Sequence, residues 1–143
     1  MFSLSFARMN GHTPDPPPPR RSIRKIADIT LVRYANKDGT RCVLCEPSPE
    51  EICAAIRNNQ LETRGYQEHF QQLIQEWLQQ AGGDFDEYCR LERAFHARRI
   101  AHFVVNGWAD PIIVGTNGVI GDGSHRVRAA IFKGKTDVEI EVR

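Results

Sequence analysis

Val119-Ile120-Gly121-Asp122-Gly123-Ser124-His125-Arg126-Val127-Arg128-Ala129-Ala130-Ile131-Phe132-Lys133-Gly134 runs from a β-branched pair through a glycine-rich turn into an apolar and basic stretch. The order predicts strand, turn and helix, with Gly134 as the stop. Such a junction has chemistry built in. The first turn of a helix carries unpaired N–H groups at the positive end of its dipole, which is where anions bind. Gly121 and Gly123 let the backbone approach a phosphate, and Ser124, His125, Arg126 and Arg128 add donors or charge. Asp122 is placed to hold a metal ion or act as a base beside that phosphate. The same residues also read as an ordinary helix start, with Asp122 or Ser124 as the N-cap.

Working outward, Asp137 to Val142 alternates, with Val138, Ile140 and Val142 on one face, and predicts a closing strand. Pro111 to Val114 predicts a short buried strand, and Thr116-Asn117-Gly118 a turn. Upstream, Asp84, Asp86 and Glu87 open a helix that runs to Asn106-Gly107, with Arg98 and Arg99 toward its far end. Tyr88, Leu91, Ala94, Phe95 and Ala101 form its buried arc. Glu92, Arg93, His96 and Arg99 form the opposite face. Tyr66, Phe70, Leu73, Ile74, Trp77, Leu78 and Ala81 recur at helical spacing opposite a glutamine-rich face, and Gly82-Gly83 ends that helix. Ser48-Pro49-Glu50-Glu51 predicts a capped helix ending near Asn58-Asn59. Residues 26–34 and 40–45, around Asp38-Gly39, predict a β-hairpin.

The chain has 143 residues and a net charge of +1, enough for one soluble domain. The charge is unevenly spread. Arg8, Arg20, Arg21, Arg24 and Lys25 against Asp15 give residues 1–25 a charge of +4, so the remainder carries −3. His12 to Arg21 contains four successive prolines, which favour an extended polyproline conformation. Residues 1–22 are therefore expected to be a disordered basic tail ahead of a domain spanning 23–143. No apolar run approaches the roughly 20 residues of a membrane helix, and Met1 to Asn10 does not read as a signal peptide. Cys42, Cys45, Cys53 and Cys89 are too sparse for a disulfide scaffold, so reduced thiols in a cytoplasmic protein are expected. Cys42 and Cys45 have zinc-like spacing but fall in an expected strand, and read as thiols. His96 and His102 read as ordinary helix residues, and His69, one residue from the apolar stripe, as a rim residue. Trp108 reads as core, with a purine pocket as its alternative. Common P-loop, zinc-protease and serine-hydrolase motifs are lacking in the sequence.

Gly107-Trp108-Ala109-Asp110-Pro111-Ile112-Ile113-Val114 resembles the G-x-x-x-P-I-x-V segment of ParB N-terminal domains. Gly123 to Ala130 is similar to that family's G-x-x-R-x-R-A-A box. The Asp122 to Arg126 turn also lies between the G-C-H-R of sulfiredoxin and the D-G-H-H-R of ParB-like free serine kinases. The resemblance spans about residues 95–142. It implies a ParB/sulfiredoxin-like α/β (α+β) fold, a small mixed sheet with packed helices. It also implies a site for ATP or another nucleotide at Gly123, His125 and Arg126, with Ser124 as a contact. Asp122 matches the acidic position of the kinases, where Mg²⁺ or proton handling is expected.

Departures narrow the expected activity. Ser124 stands where sulfiredoxin needs its cysteine, and a hydroxyl cannot replace that thiol. The chain ends at Arg143, so the DNA-reading and dimerisation parts of a ParB clamp are not expected. The kinases need an early acidic residue, and Glu46, Glu50 and Glu51 are all open for that role. The leading expectation is nucleotide binding, with phosphoryl transfer or hydrolysis as the reaction and Asp122 and His125 as catalytic candidates. The alternatives are a DNA-associated or protein-binding regulator acting through the tail, and a metal-dependent nuclease.

Overall fold

The computed structural model describes residues 21–31 and 46–143. Four strands form one mixed sheet: β1 (Arg21–Lys25), β2 (Ile112–Val114), β3 (Ile120–Asp122) and β4 (Asp137–Val142). The spatial order is β1-β4-β2-β3. β4 pairs antiparallel with β1 and parallel with β2, and β2 pairs antiparallel with β3. Four helices accompany it: α1 (Pro49–Arg57), α2 (Phe70–Ala81), α3 (Phe85–Asn106) and α4 (Ser124–Phe132). The expected mixed α/β architecture is therefore present.

Local chemistry explains most boundaries. Ser48 Oγ accepts from the Glu51 N–H at 3.2 Å, and Glu51 Oε1 accepts from the Ser48 N–H at 3.1 Å, a reciprocal cap with Pro49 in the first turn. Ser48→Ala should cost about 1 kcal/mol in a urea titration, the usual value of such a cap. An unchanged midpoint would show that the cap adds nothing. Gly82, in the left-handed region at φ 59°, stops α2. Asp84 caps α3 through the N–H groups of Asp86 and Glu87.

The packing makes α3 the hub, touching α1, α2 and α4. One core lies between the sheet and α4, where Ile112, Val114, Val127, Ala130 and Ile140 are fully buried. A second joins α1, α3 and α4 through Ile52, Ala55, Ile100, Ala101 and Ala129. A third joins α2 to α3 through Leu73, Trp77 and Phe95, with Tyr66 against it. Burial on several sides explains why His96, expected on the outer face of α3, is only 1% exposed.

The first strand differs from expectation. Strand β1 ends at Lys25, Ile26–Asp28 forms a 3-10 turn, and Thr30 makes an isolated parallel bridge to Val119. The first arm of the expected hairpin is thus not a continuous strand, and its 32–45 portion, with Cys42 and Cys45, lies outside the described residues. Arg21 and Ser22, assigned to the tail, belong to β1 and face Glu141 and Ile140. Charged side chains suit this edge strand, which closes the sheet without inviting further pairing. The rest of the expected tail lies outside the described residues. Helix α2 starts at Phe70, later than its apolar stripe, because Tyr66 joins the core from the preceding turn.

Candidate functional site

The β3–α4 junction opens into a cleft of about 900 Å³. It is lined by Gly121–Arg126, Pro111 and Ile113, by Gly65–Glu68, by His96, Arg99 and Phe103 of α3, and by Trp108. The sequence therefore brings its glycine-rich turn and its Pro111 segment together in one concavity.

Gly123 is the N-cap of α4, at φ 109°, and no side chain caps the helix. The expected side-chain cap by Asp122 or Ser124 is not formed. The first α4 bond runs from Val127 N–H to the Gly123 carbonyl, so the N–H groups of Ser124, His125 and Arg126 precede the helical ladder. A Cβ at Gly123 would lie 3.0 Å from Arg126 Nη2 and 3.1 Å from Ile112 Cγ1. The position requires glycine for both conformation and space.

Arg126 is buried, with Nη1 donating to the carbonyls of Asp110 at 2.9 Å and Pro111 at 3.2 Å. Its Nη2 lies 3.5 Å from Asp122 Oδ2, whose exposed side chain stands at the rim. One side of the guanidinium thus ties the Pro111 segment to α4, and the other borders Gly123 and Asp122. Arg128 follows another path. It bonds Ser124 Oγ, places Nε 3.7 Å from Glu46 Oε1, and is not among the described lining residues. Its guanidinium supports the helix start from the side instead of facing the cleft. Of the three early glutamates, Glu51 is committed to the α1 cap and to Arg93 at 2.9 Å, while Glu50 is exposed. Only Glu46 reaches the Ser124 turn, through Arg128.

Two lining residues were assigned to a solvent face in the sequence. Arg99 donates to the carbonyls of Glu62 at 3.2 Å and Thr63 at 3.0 Å, and its guanidinium lies 4.4 Å from the Phe103 ring centroid. It pins residues 62 and 63 to α3 and brings a second cation to the cleft lined by Arg126. Glu62, bonded to Arg64, holds the same segment, and those bonds keep its carboxyl below the usual range against the opposing effect of burial. His96 Nδ1 lies 2.7 Å from His125 Nε2, and the rings stack with centroids 5.0 Å apart. No helical spacing within α3 could have announced a contact made across to α4.

Electrostatics alters the expected role of His125. Burial first, then Arg128 and Arg99, pushes it down to about 3. Burial, His125 and Arg128 likewise hold His96 well below its usual value. Both rings are therefore neutral near pH 7, and His125 adds no positive charge. The expected cation is Arg126, joined by Arg99.

The other candidates remain structural. His102 bonds Asn106 at 3.2 Å, and His69 lies 3.4 Å from the Gly65 carbonyl. Trp108 packs edge-on against Phe103 at 6.1 Å and also borders the cleft. Cys53 and Cys89 are free. Among the described residues no cluster of three His, Cys, Asp or Glu could hold a metal by itself, and no helix is long and apolar enough to cross a membrane. One carboxylate with substrate phosphates is a common arrangement for Mg²⁺, and Asp122 supplies one carboxylate at the rim. No family model, no curated protein and no solved structure matches this chain.

Proposed function

We propose that the cleft is a nucleotide-phosphate site of ParB/sulfiredoxin type, with phosphoryl transfer or nucleotide hydrolysis as its reaction. The observation that carries this reading is the side-chain-free start of α4, at Gly123, opening into a cleft that also receives the buried Arg126. Backbone N–H groups at 124–126 would receive phosphate oxygens, and the dipole of α4 favours that charge. Arg126 and Arg99, both lining the cleft, offset the charge, and Ser124 adds a hydroxyl to the turn. These donors are held before any ligand arrives, so binding requires little reorganisation. The cleft has room for a ligand of nucleotide size. Trp108, which borders the cleft, gives a base an aromatic ring to rest on.

Mg²⁺ would be held by Asp122 together with the phosphates, and would supply charge neutralisation at the transferring group. The Asp122 side chain is exposed, so an incoming ion can reach its carboxylate while Oδ2 stays 3.5 Å from Arg126 Nη2. Arg128 and Glu46 act from behind, by holding the Ser124 end of the helix.

Isothermal titration of the full chain with ATP, ADP, CTP and GTP, with and without Mg²⁺, tests the site. Binding of at least one nucleotide is expected, weakened at least tenfold in Arg126→Met. Absence of binding by all four at millimolar concentration would overturn the reading.

A further inference from the structure

We propose that His96 is a positioning residue that fixes His125 as a hydrogen-bond acceptor in the cleft, suited to a ligand hydroxyl instead of a phosphate oxygen. The argument starts from the proton count. Two neutral imidazoles in contact share one hydrogen bond, so one nitrogen of the pair donates and the other accepts. His96 Nδ1 and His125 Nε2 are 2.7 Å apart, so the orientation of this bond sets both tautomers.

Glu92 decides the orientation. Its Oε2 lies 3.9 Å from His96 Nε2, and its Oε1 accepts from Tyr66 Oη at 3.3 Å. A carboxylate beside Nε2 favours a proton on that nitrogen and disfavours a lone pair there. With Nε2 protonated, neutral His96 has an accepting Nδ1. His125 must then donate from Nε2, and its Nδ1 carries the lone pair. Because Nε2 is turned toward the buried His96, Nδ1 is the polar atom that His125 can offer a ligand. A phosphate oxygen would meet this lone pair with repulsion. A hydroxyl would meet it as a donor.

The surroundings hold the arrangement. Tyr66 lies 5.2 Å from the His96 ring on one side, and Phe95 lies 6.2 Å from the His125 ring edge-on. Arg128 of α4 and Arg99 of α3 are the cations near the pair, and both oppose a second proton on His125. Glu92 is the carboxylate within 4 Å of His96 in the described ion pairs. The device is thus a carboxylate, a buried imidazole and a second imidazole at the cleft, oriented in series.

The identity of the ligand rests on the nucleotide reading, but the tautomers do not. Long-range proton–nitrogen NMR of the unliganded full chain at pH 7, with the five imidazoles assigned by single substitutions, reads them directly. The expected result is a proton on Nε2 and a lone pair on Nδ1 for both His96 and His125. A proton on His125 Nδ1, or rapid exchange between its tautomers, would overturn the proposal. Adding pyrophosphate to saturation should leave His125 Nδ1 unprotonated, and conversion to Nδ1–H would overturn the hydroxyl preference.

Two variants separate positioning from bulk. His96→Asn places an amide oxygen near the position of Nδ1, and should preserve the His125 tautomer. His96→Gln places its amide near Nε2 instead, and should release His125 into a mixture. An unchanged His125 in His96→Gln would refute the positioning role even if the Asn variant failed to fold. Expected tautomers without binding of any nucleotide would discard the nucleotide reading alone.

Discussion

Gly123→Ala should destabilise the protein by about 2–6 kcal/mol and weaken nucleotide binding at least tenfold. Two separate effects add at this position. A non-glycine residue at φ 109° is strained, for about 1–3 kcal/mol. The new methyl also lies 3.1 Å from Ile112 Cγ1 and 3.0 Å from Arg126 Nη2. Ile112 is fully buried in β2, so it has little room to yield, and overpacking of this kind costs about 1–3 kcal/mol. Arg126 can yield only by loosening its bonds to the Asp110 and Pro111 carbonyls, which would disturb the cleft floor. Gly134→Ala isolates the first effect, because Gly134 has φ 76° and open space around its missing Cβ. That variant should lose only about 1–2 kcal/mol and keep its binding. Urea titration of both, with calorimetry for the ligand, makes the comparison. Equal losses in the two variants would remove the packing contribution at Gly123.

The comparison between Gly123 and Gly134 also shows what kind of information a sequence carries. Both positions were legible as punctuation of α4, because turn chemistry is local and glycine is its strongest signal. The same holds for Ser48 at α1, Gly82 at α2 and Asp84 at α3. The second demand on Gly123 was not legible, since it comes from Ile112 on another strand. Strand β1 was missed for a similar reason. Arg21-Ser22-Ile23-Arg24-Lys25 has a single apolar residue, and Ile23 is 69% exposed. Its extended form is imposed by pairing with β4, from the far end of the chain, and no internal alternation announces it. Helix α3 hides its functional residues in another way. It packs on three helices, so apolar residues appear around much of its circumference and the polar ones cannot be sorted into a solvent stripe. His96 and Arg99 look like surface residues by that sorting, and become wall and support of the cleft once α4 is laid against them. Arg128 shows the reverse. Its place in the basic turn suggested a ligand contact, whereas one helical turn carries it back onto Ser124 and toward Glu46.

Acid should unfold this protein early, with stability beginning to fall near pH 6.5 instead of waiting for the carboxylates. In the fold His125 is pushed down to about 3, so it is neutral at pH 5, and His96 is lowered in the same direction by burial, His125 and Arg128. In the unfolded chain both regain ordinary values and bind protons below pH 6.5. The unfolded state then binds more protons than the folded one, so stability is fully present above 6.5 and is lost as pH falls toward 3. At pH 5 His125 is worth up to about 2 kcal/mol, and the lowered His96 adds in the same direction. Glu51 and Glu62 also have lowered values, but their contributions are lost only below about pH 4.5, so the interval from 6.5 to 5 reports the imidazoles. His102, lowered by burial and by Arg99, adds in the same direction. Urea titrations from pH 7.5 to 5 should show the midpoint falling steadily, and His96→Asn should make that fall shallower. A midpoint independent of pH across that interval would mean that the stacked pair takes up protons inside the fold. Because a domain of this size is stable by only about 5–15 kcal/mol, a loss of about 2 kcal/mol is a large fraction of the total. The neutral pair that gives His125 a defined tautomer is therefore also acid-sensitive, and a proton that disrupted the one would weaken the other.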